Sequence, residues 1–231
     1  MFMKAILLSG GFGKRLKPLT DYLPKPLIPV CNYPIIEWQI RYFKKFGIKD
    51  IIVCVGYRAD QVIKHLEGKD LGVRLEYSIE STPLGTAGAI KRAGKHIDTD
   101  DFFVANGDVL TNLDLNKLKT HPNSVAVIPL RTSFGIVHLD GSKVERFEEK
   151  PEMSDYWMNA GIYYLKKDIL KHLPKNGNLE STTFPILAGK GKLHAIKYDK
   201  VFWKSIDSYK DMEECESLIT GSRYEKFISS K

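Results

Sequence analysis

Short apolar, β-branched runs alternate with helical patterns along the first half of the chain, and this alternation constrains the fold most. Residues 4–8, 51–55, 73–79 and 101–105 read as strands, and residues 34–46, 59–66 and 86–97 as helices between them. Such alternation leaves consecutive strands parallel, with helices packed on both faces of the sheet. In the first helix Ile36, Ile40 and Phe43 share a face, Asn32 is placed to cap the start, Pro34 sits near the first turn, and Gly47 follows the end. The second half is less regular. Residues 124–130, 135–139, 144–147, 160–165 and 193–198 read as strands, residues 167–173 and 184–187 as short helices, and residues 210–219 as a final helix. Asp140-Gly141 is a hairpin turn signal.

The expected class is therefore α/β. At roughly 150 residues per domain, a chain of 231 residues makes one large domain or two small ones. No internal repeat or low-complexity linker divides it, so one domain over 1–231 is expected, its second half elaborating the first. With the sequence ending at Lys231, no repetitive β-helix extension is expected. Hydrophobic residues at 43% and charged residues at 27% are ordinary for a soluble globular chain. No apolar run reaches the length of a membrane span, and the apolar stretch near Met1 is too short for a signal sequence. The expectation is a cytoplasmic protein with no membrane partner.

Cys31, Cys54 and Cys215 form no C-x-x-C pair, and the six histidines form no H-E-x-x-H pattern. Neither a zinc ribbon, a redox pair nor a metalloprotease site is encoded. The formal charge is +7. It suits a polyanionic ligand, but the basic residues are spread along the chain, as on a lysine-rich solvated surface. No module combining aromatic and basic residues argues for nucleic acid.

The chemistry concentrates after the first strand, in Gly10-Gly11-Phe12-Gly13-Lys14-Arg15-Leu16. Three near-consecutive glycines let the backbone approach a ligand and turn successive N–H groups toward an anion. The dinucleotide fingerprint fails because position 16 is Leu16, and the Walker loop fails because Lys14 is followed by Arg15. A nicotinamide dehydrogenase is thereby disfavoured. Prolines 18, 24, 26 and 29 forbid one continuous helix beyond the loop. Ten residues after Arg15, Lys25 stands between Pro24 and Pro26, which is expected to hold it in extended backbone. A planar guanidinium and a compact ammonium suit a triphosphate.

The glycine loop followed by Pro24-Lys25-Pro26-Leu27 resembles the signature of the sugar-1-phosphate nucleotidyltransferases, also called NDP-sugar pyrophosphorylases. Further stations follow in family order: Glu80-Ser81-Thr82-Pro83-Leu84-Gly85-Thr86-Ala87-Gly88, Asn106-Gly107-Asp108, Phe147-Glu148-Glu149-Lys150-Pro151, Asn159-Ala160-Gly161 and Glu180. The resemblance runs from about Met3 to Glu214. It implies a Rossmann-like, mixed, mostly parallel sheet with helices on both faces. It also implies a nucleotide-binding half over about 1–110 and a sugar-phosphate-binding half over about 111–231. The implied reaction joins an NTP and a sugar 1-phosphate to give NDP-sugar and pyrophosphate, with Mg²⁺ as cofactor.

By the same resemblance, Leu8, Ser9, Gly10, Gly11, Gly13, Lys14, Arg15, Glu80, Pro83, Gly85, Thr86, Ala87, Asn106 and Gly107 contact the nucleotide. Gly135, Glu149, Lys150, Asn159, Gly161 and Glu180 contact the sugar phosphate. Arg15, Lys25, Asp108 and Lys150 carry catalysis. A phosphate oxygen already bears charge, so in-line attack on the α-phosphorus needs neither a general base nor a side-chain nucleophile. Positioning and charge neutralisation remain.

Asp108 lies just past a predicted strand end, where ligands sit in open parallel sheets, and one carboxylate is a common way to hold Mg²⁺ beside phosphates. A turn aspartate after Asn-Gly is the structural alternative. The family's second metal carboxylate belongs to a W-x-D-x-G-T type motif. Here Trp203-Lys204-Ser205-Ile206-Asp207-Ser208 puts Ser205 at the usual aspartate position, so the metal role passes to Asp207. The alternative role for Asp207 is an N-cap of the last helix.

A carboxylate at Glu80 matches the N1–H and N2–H₂ donors of guanine, whereas thymine or uracil suits glutamine. The alternative leaves base reading to backbone amides of the loop. The Pro-Leu-Gly-Thr-Ala-Gly stretch is similar to mannose-1-phosphate and heptose-1-phosphate guanylyltransferases, and GTP with mannose 1-phosphate is the expected pair. The shifted Trp203 motif looks like cytidylyl relatives, so a glucose-1-phosphate thymidylyl-, uridylyl- or cytidylyltransferase stays open. A non-catalytic regulatory paralogue stays open on Ser205, and a homo-oligomer is left open.

Overall fold

The computed structural model describes residues 3–132, 134–220, 222 and 224; the ends of the expected domain, 1–2 and 225–231, lie outside the described residues. In chain order the elements are β1 (Lys4–Ser9), β2 (Pro29–Val30), β3 (Tyr33–Pro34), α1 (Ile35–Lys45), β4 (Asp50–Val55), α2 (Ala59–Glu67), β5 (Arg74–Ile79), α3 (Gly85–Ala93), β6 (Asp101–Asn106), β7 (Val109–Thr111), α4 (Leu115–Leu118), β8 (Ser124–Arg131), β9 (Ile136–Asp140), β10 (Lys143–Glu148), β11 (Glu152–Lys166), α5 (Leu179–Gly189), β12 (His194–Lys197), β13 (Trp203–Ser205) and α6 (Tyr209–Ile219).

Seven strands form one sheet in the order β12-β8-β11-β6-β1-β4-β5. β1 pairs in parallel with β4 and β6, β4 with β5, and β12 with β8; only β11 runs against its neighbours. The expected mixed, mostly parallel sheet is what forms. The chain leaves β1 to one side for β4 and β5, then crosses to the other side for β6. A crevice at such a reversal, outside the carboxyl ends of the strands, is where ligands bind in open α/β sheets.

Alternation along β1 distributes the core. Ala5 and Leu7 face a cluster built with α1, α2 and α6, whereas Ile6 faces one built with α3 and α5. Trp38 of α1 is 1% exposed, stacks on Tyr224 and donates from Nε1 to Val30 O at 3.0 Å. Trp38→Ala is expected to cost about 3–5 kcal/mol through the cavity and the orphaned carbonyl. A denaturant midpoint at unchanged slope would measure it, and an unshifted midpoint would refute it.

Several elements depart from expectation. Asn32 caps nothing: it lies in the turn between β2 and β3, and Pro34 is the residue before α1. The helix expected over 86–97 is α3 followed by a 3₁₀ turn at Gly94–His96, and that expected over 167–173 is a 3₁₀ turn at Lys167–Lys171. The helix expected over 184–187 is the longer α5, which accommodates Pro185. β11 begins well before residue 160, with register shifts against β8 that hide its periodicity. β9 and β10 form the expected hairpin, with Gly141 at φ 56° in its turn.

Candidate active site

Four segments far apart in sequence meet outside β1 and β6. The glycine loop leaves β1 at Ser9. Gly13 sits at φ 62°, and a Cβ there would lie 2.9 Å from Thr20 Cγ2 and 3.0 Å from Lys25 Cβ, so glycine is what lets the loop fold onto Lys25. Leu16 is buried, anchoring the 3₁₀ turn Lys14–Leu16 while Arg15 projects outward.

Lys25 is not extended as its flanking prolines suggest. Pro24 is extended at ψ 142°, but Lys25–Leu27 form a 3₁₀ turn. Pro26 sits in the first turn, where its fixed φ fits and its missing N–H is not needed. The turn aims Lys25 inward, and its side chain is only 13% exposed.

The acids come from opposite halves of the chain. β7 pairs antiparallel with β13, Val109 opposite Ser205, and Ile206 N–H donates to Asp108 O at 2.9 Å. This short ladder brings Asp108 and Asp207 together. Lys25 Nζ donates to Asp108 Oδ2 at 2.8 Å and Asp207 Oδ1 at 2.9 Å. Arg15 Nη2 donates to Asp207 Oδ1 at 2.8 Å, and Ser205 Oγ to Asp207 Oδ2 at 2.6 Å. Burial alone would raise the Asp207 carboxyl. The hydrogen bonds from Lys25 and Ser205, with the charges of Lys25 and Arg15, outweigh it and hold the group below the usual aspartate value. Asp207 is not the helix cap: Ser208 is, accepting from Asp211 N–H at 3.2 Å.

Two adjoining clefts share Leu8, Gly11, Gly107 and Asp108. One, of about 260 Å³, is lined also by Ser9, Gly13, Lys14, Arg15, Lys25 and Asp207. The other, of about 290 Å³, is lined also by Gly10, Glu80, Pro83, Leu84, Gly85, Thr86, Ala89, Asn106 and Asn178. The first is basic and phosphate-sized, and the second has the Glu80 carboxylate, with Asp108 at the shared edge, among largely neutral groups. Glu80 Oε2 accepts from Leu84 N–H at 3.2 Å. Burial raises its carboxyl above the usual glutamate value, against the lowering effect of that bond and of Arg92.

Ala87 does not reach either cleft. It is fully buried, and its N–H donates to Gly177 O at 3.0 Å. Gly88 N–H goes to the same carbonyl and Thr86 N–H to Asn178 Oδ1. The Thr86, Ala87 and Gly88 amides are therefore committed within the protein. Asn178, unforeseen from sequence, both holds this loop and lines the cleft.

Of the sugar-side residues, Asn159, Gly161 and Glu180 line neither cleft themselves but form a network tied to Thr86, which lines the second. Asn159 Oδ1 accepts from Gly161 N–H, Asn159 Nδ2 donates to Tyr163 OH, and Tyr163 OH donates to Glu180 Oε1 at 3.0 Å. Thr86 Oγ1 reaches Glu180 Oε2 at 3.1 Å. Gly135, Glu149 and Lys150 lie on the hairpin arm of β9 and β10 and line neither cleft; Lys150 Nζ is 3.4 Å from Glu149 Oε1.

Among the described residues no three His, Cys, Asp or Glu side chains gather as a metal cage. The donor set nevertheless fits a hard divalent cation. Asp108 Oδ2 and Asp207 Oδ1 converge on one point, held here by the Lys25 ammonium. Mg²⁺ commonly takes one or two carboxylates and completes its shell with phosphate and water.

Residues 4–220 match the family model described as nucleotidyl transferase, and the chain belongs to that family. The mannose-1-phosphate guanyltransferase of Aspergillus fumigatus is 37% identical over 226 residues, 90% of this chain and 62% of that protein. The chain thus spans less than two thirds of the length of such relatives. The D-glycero-alpha-D-manno-heptose 1-phosphate guanylyltransferase of Campylobacter jejuni is 38% identical over 172 residues, 72% of this chain and 77% of that protein. The crystal structure of HddC from Yersinia pseudotuberculosis superposes with a TM-score of 0.74 at 27% identity, covering 94% of this chain and 99% of that one; HddC is also known complexed with GMP-PN.

Proposed function

We propose that this chain transfers a nucleotidyl group from an NTP to a sugar 1-phosphate and releases pyrophosphate, with GTP and mannose 1-phosphate as its substrates. The observation that carries the reading is the Arg15–Lys25–Asp108–Asp207 cluster on the floor of the basic cleft. Arg15, Lys14 and the loop amides bind and orient the triphosphate. Lys25 meets the charge that builds on the phosphoryl oxygens during attack. Asp108 and Asp207 would hold Mg²⁺, which supplies further neutralisation of phosphate charge when bound. Asn159, Gly161 and Glu180 orient the sugar, and Gly135, Glu149 and Lys150 form its phosphate wall on the hairpin arm. Cys54 and Cys215, buried as thiols, accord with a reducing, cytoplasmic setting.

The test is a matrix of ATP, CTP, GTP, UTP and dTTP against mannose, glucose and heptose 1-phosphates, with Mg²⁺ and product read by mass. GDP-mannose with pyrophosphate is expected to dominate. No NDP-sugar from any pair would overturn the reading.

Glu80 supplies the base preference. Oε2 spends one lone pair on Leu84 N–H, leaving Oε1 and the second Oε2 lone pair for guanine N1–H and N2–H₂. Glu80→Gln is expected to lower kcat/KM for GTP by about ten- to hundredfold, the worth of a charge-assisted hydrogen bond, and to raise the relative use of UTP. Because the Glu80 pKa is raised, the wild-type KM for GTP should climb on acidification, beginning above the ordinary carboxylate range. The protonated acid turns a donor toward a donor. Glu80→Gln should lack that climb, and an unchanged base preference would place the reading of guanine elsewhere.

A further inference from the structure

We propose that Gln39 is a positioning residue that fixes the 106–109 turn and, through it, the Asp108 carboxylate. Gln39 lies on α1 and is 2% exposed. Its Nε2 donates to Asn106 O at 2.6 Å and to Val109 O at 3.0 Å, the two carbonyls that flank Gly107-Asp108. One amide therefore spans the turn that carries Asp108. The turn is fixed on its far side by Gly107 N–H, which donates to Leu8 O at 2.9 Å, and a Cβ at Gly107 would collide with that same carbonyl. The 106–109 backbone is thus held between β1 and α1, leaving the Asp108 side chain to point at Lys25.

The cost of this arrangement argues that it serves the turn. Gln39 Oε1 is buried without a partner, and such an orphaned acceptor costs about 1–3 kcal/mol. An apolar residue would spare that cost but would leave two buried carbonyls unpaired. Tyr42, three residues on, reaches over from the same helix to Leu113 O at 2.7 Å. It supports the chain beyond the turn and does not touch it, which makes it a matched control.

The inference rests on reading Asp108 as a metal-holding carboxylate, and the experiment separates the two. Amide hydrogen exchange across 106–109 is compared for wild type, Gln39→Met and Tyr42→Phe, alongside the Mg²⁺ concentration needed for half-maximal activity. Gln39→Met should speed exchange in the turn while β5 stays as in wild type. It should also raise the Mg²⁺ requirement by about ten- to a hundredfold, the usual effect of losing a group that orients a metal ligand, with KM for GTP near wild type. Tyr42→Phe should lower thermal stability and leave both readouts unmoved. Unchanged exchange across 106–109 in folded Gln39→Met would overturn the clamp. Faster exchange with an unchanged Mg²⁺ requirement would overturn its link to Asp108. If wild type makes no nucleotide sugar, the functional reading fails, and exchange with Mn²⁺ binding still decides the role of Gln39. Should Gln39→Met not fold, Gln39→Glu keeps the volume, offers at most one proton to two carbonyls, and is expected to change both readouts in the same direction.

Discussion

Lys25→Ala is expected to lower kcat by about two to three orders of magnitude, the loss seen when a preorganised donor to developing charge is removed, while nucleotide affinity falls far less. The side chain is mostly buried and held by carboxylates on two sides, at 2.8 and 2.9 Å. An ammonium so fixed costs little reorganisation when charge grows on the phosphoryl oxygens, and an interaction stronger in the transition state appears in kcat before KM. Arg15, by contrast, is 75% exposed, and its contribution is expected chiefly in binding. Comparing kcat with nucleotide Kd, and adding Lys25→Met to preserve volume, separates the loss of the ammonium from the loss of its packing. Unchanged kcat in either variant would remove Lys25 from the reaction.

The second large effect concerns the acids. Asp108→Asn and Asp207→Asn should each reduce kcat by at least about two orders of magnitude, since a neutral amide cannot offset the charge of a divalent ion worth several kcal/mol to the transition state. The double variant should be little worse than the worse single one, because both remove the same ion. Ser205→Asp in the Asp207→Asn background should recover part of the activity. Ser205 Oγ already lies 2.6 Å from Asp207 Oδ2, so a carboxylate on position 205 starts beside the one it replaces. Full activity in Asp207→Asn would leave the metal to Asp108 and phosphate alone.

How far the sequence reveals this site depends on what creates each feature. β1, β4 and β6 are continuous apolar runs buried on both faces, and such runs announce themselves. β7 and β13 are three residues each, too short for any periodicity, yet their pairing alone joins Asp108 to Asp207. Asp207 could be proposed from its motif, but only the structure shows that Ser208 and not Asp207 caps the last helix, and that the ladder sets Asp207 beside Asp108. Lys25 was legible as a constrained cation, though its turn was not, because two prolines permit either an extended or a 3₁₀ path. Ala87 was misplaced because a small residue in a loop motif looks the same whether it meets a ligand or Gly177. Gln39 did leave a trace: it shares the face of Ile36, Ile40 and Phe43, where a polar residue needs a reason.

The central claim is that Asp108 and Asp207 hold one divalent ion between them. Mn²⁺ binding to wild type, the two single variants and the double variant, each with a non-hydrolysable GTP analogue, tests it most directly. The account predicts one ion per wild-type chain, a similar loss of affinity in each single variant, and no further loss in the double variant. Wild-type affinity in Asp207→Asn, or losses that simply add, would contradict it.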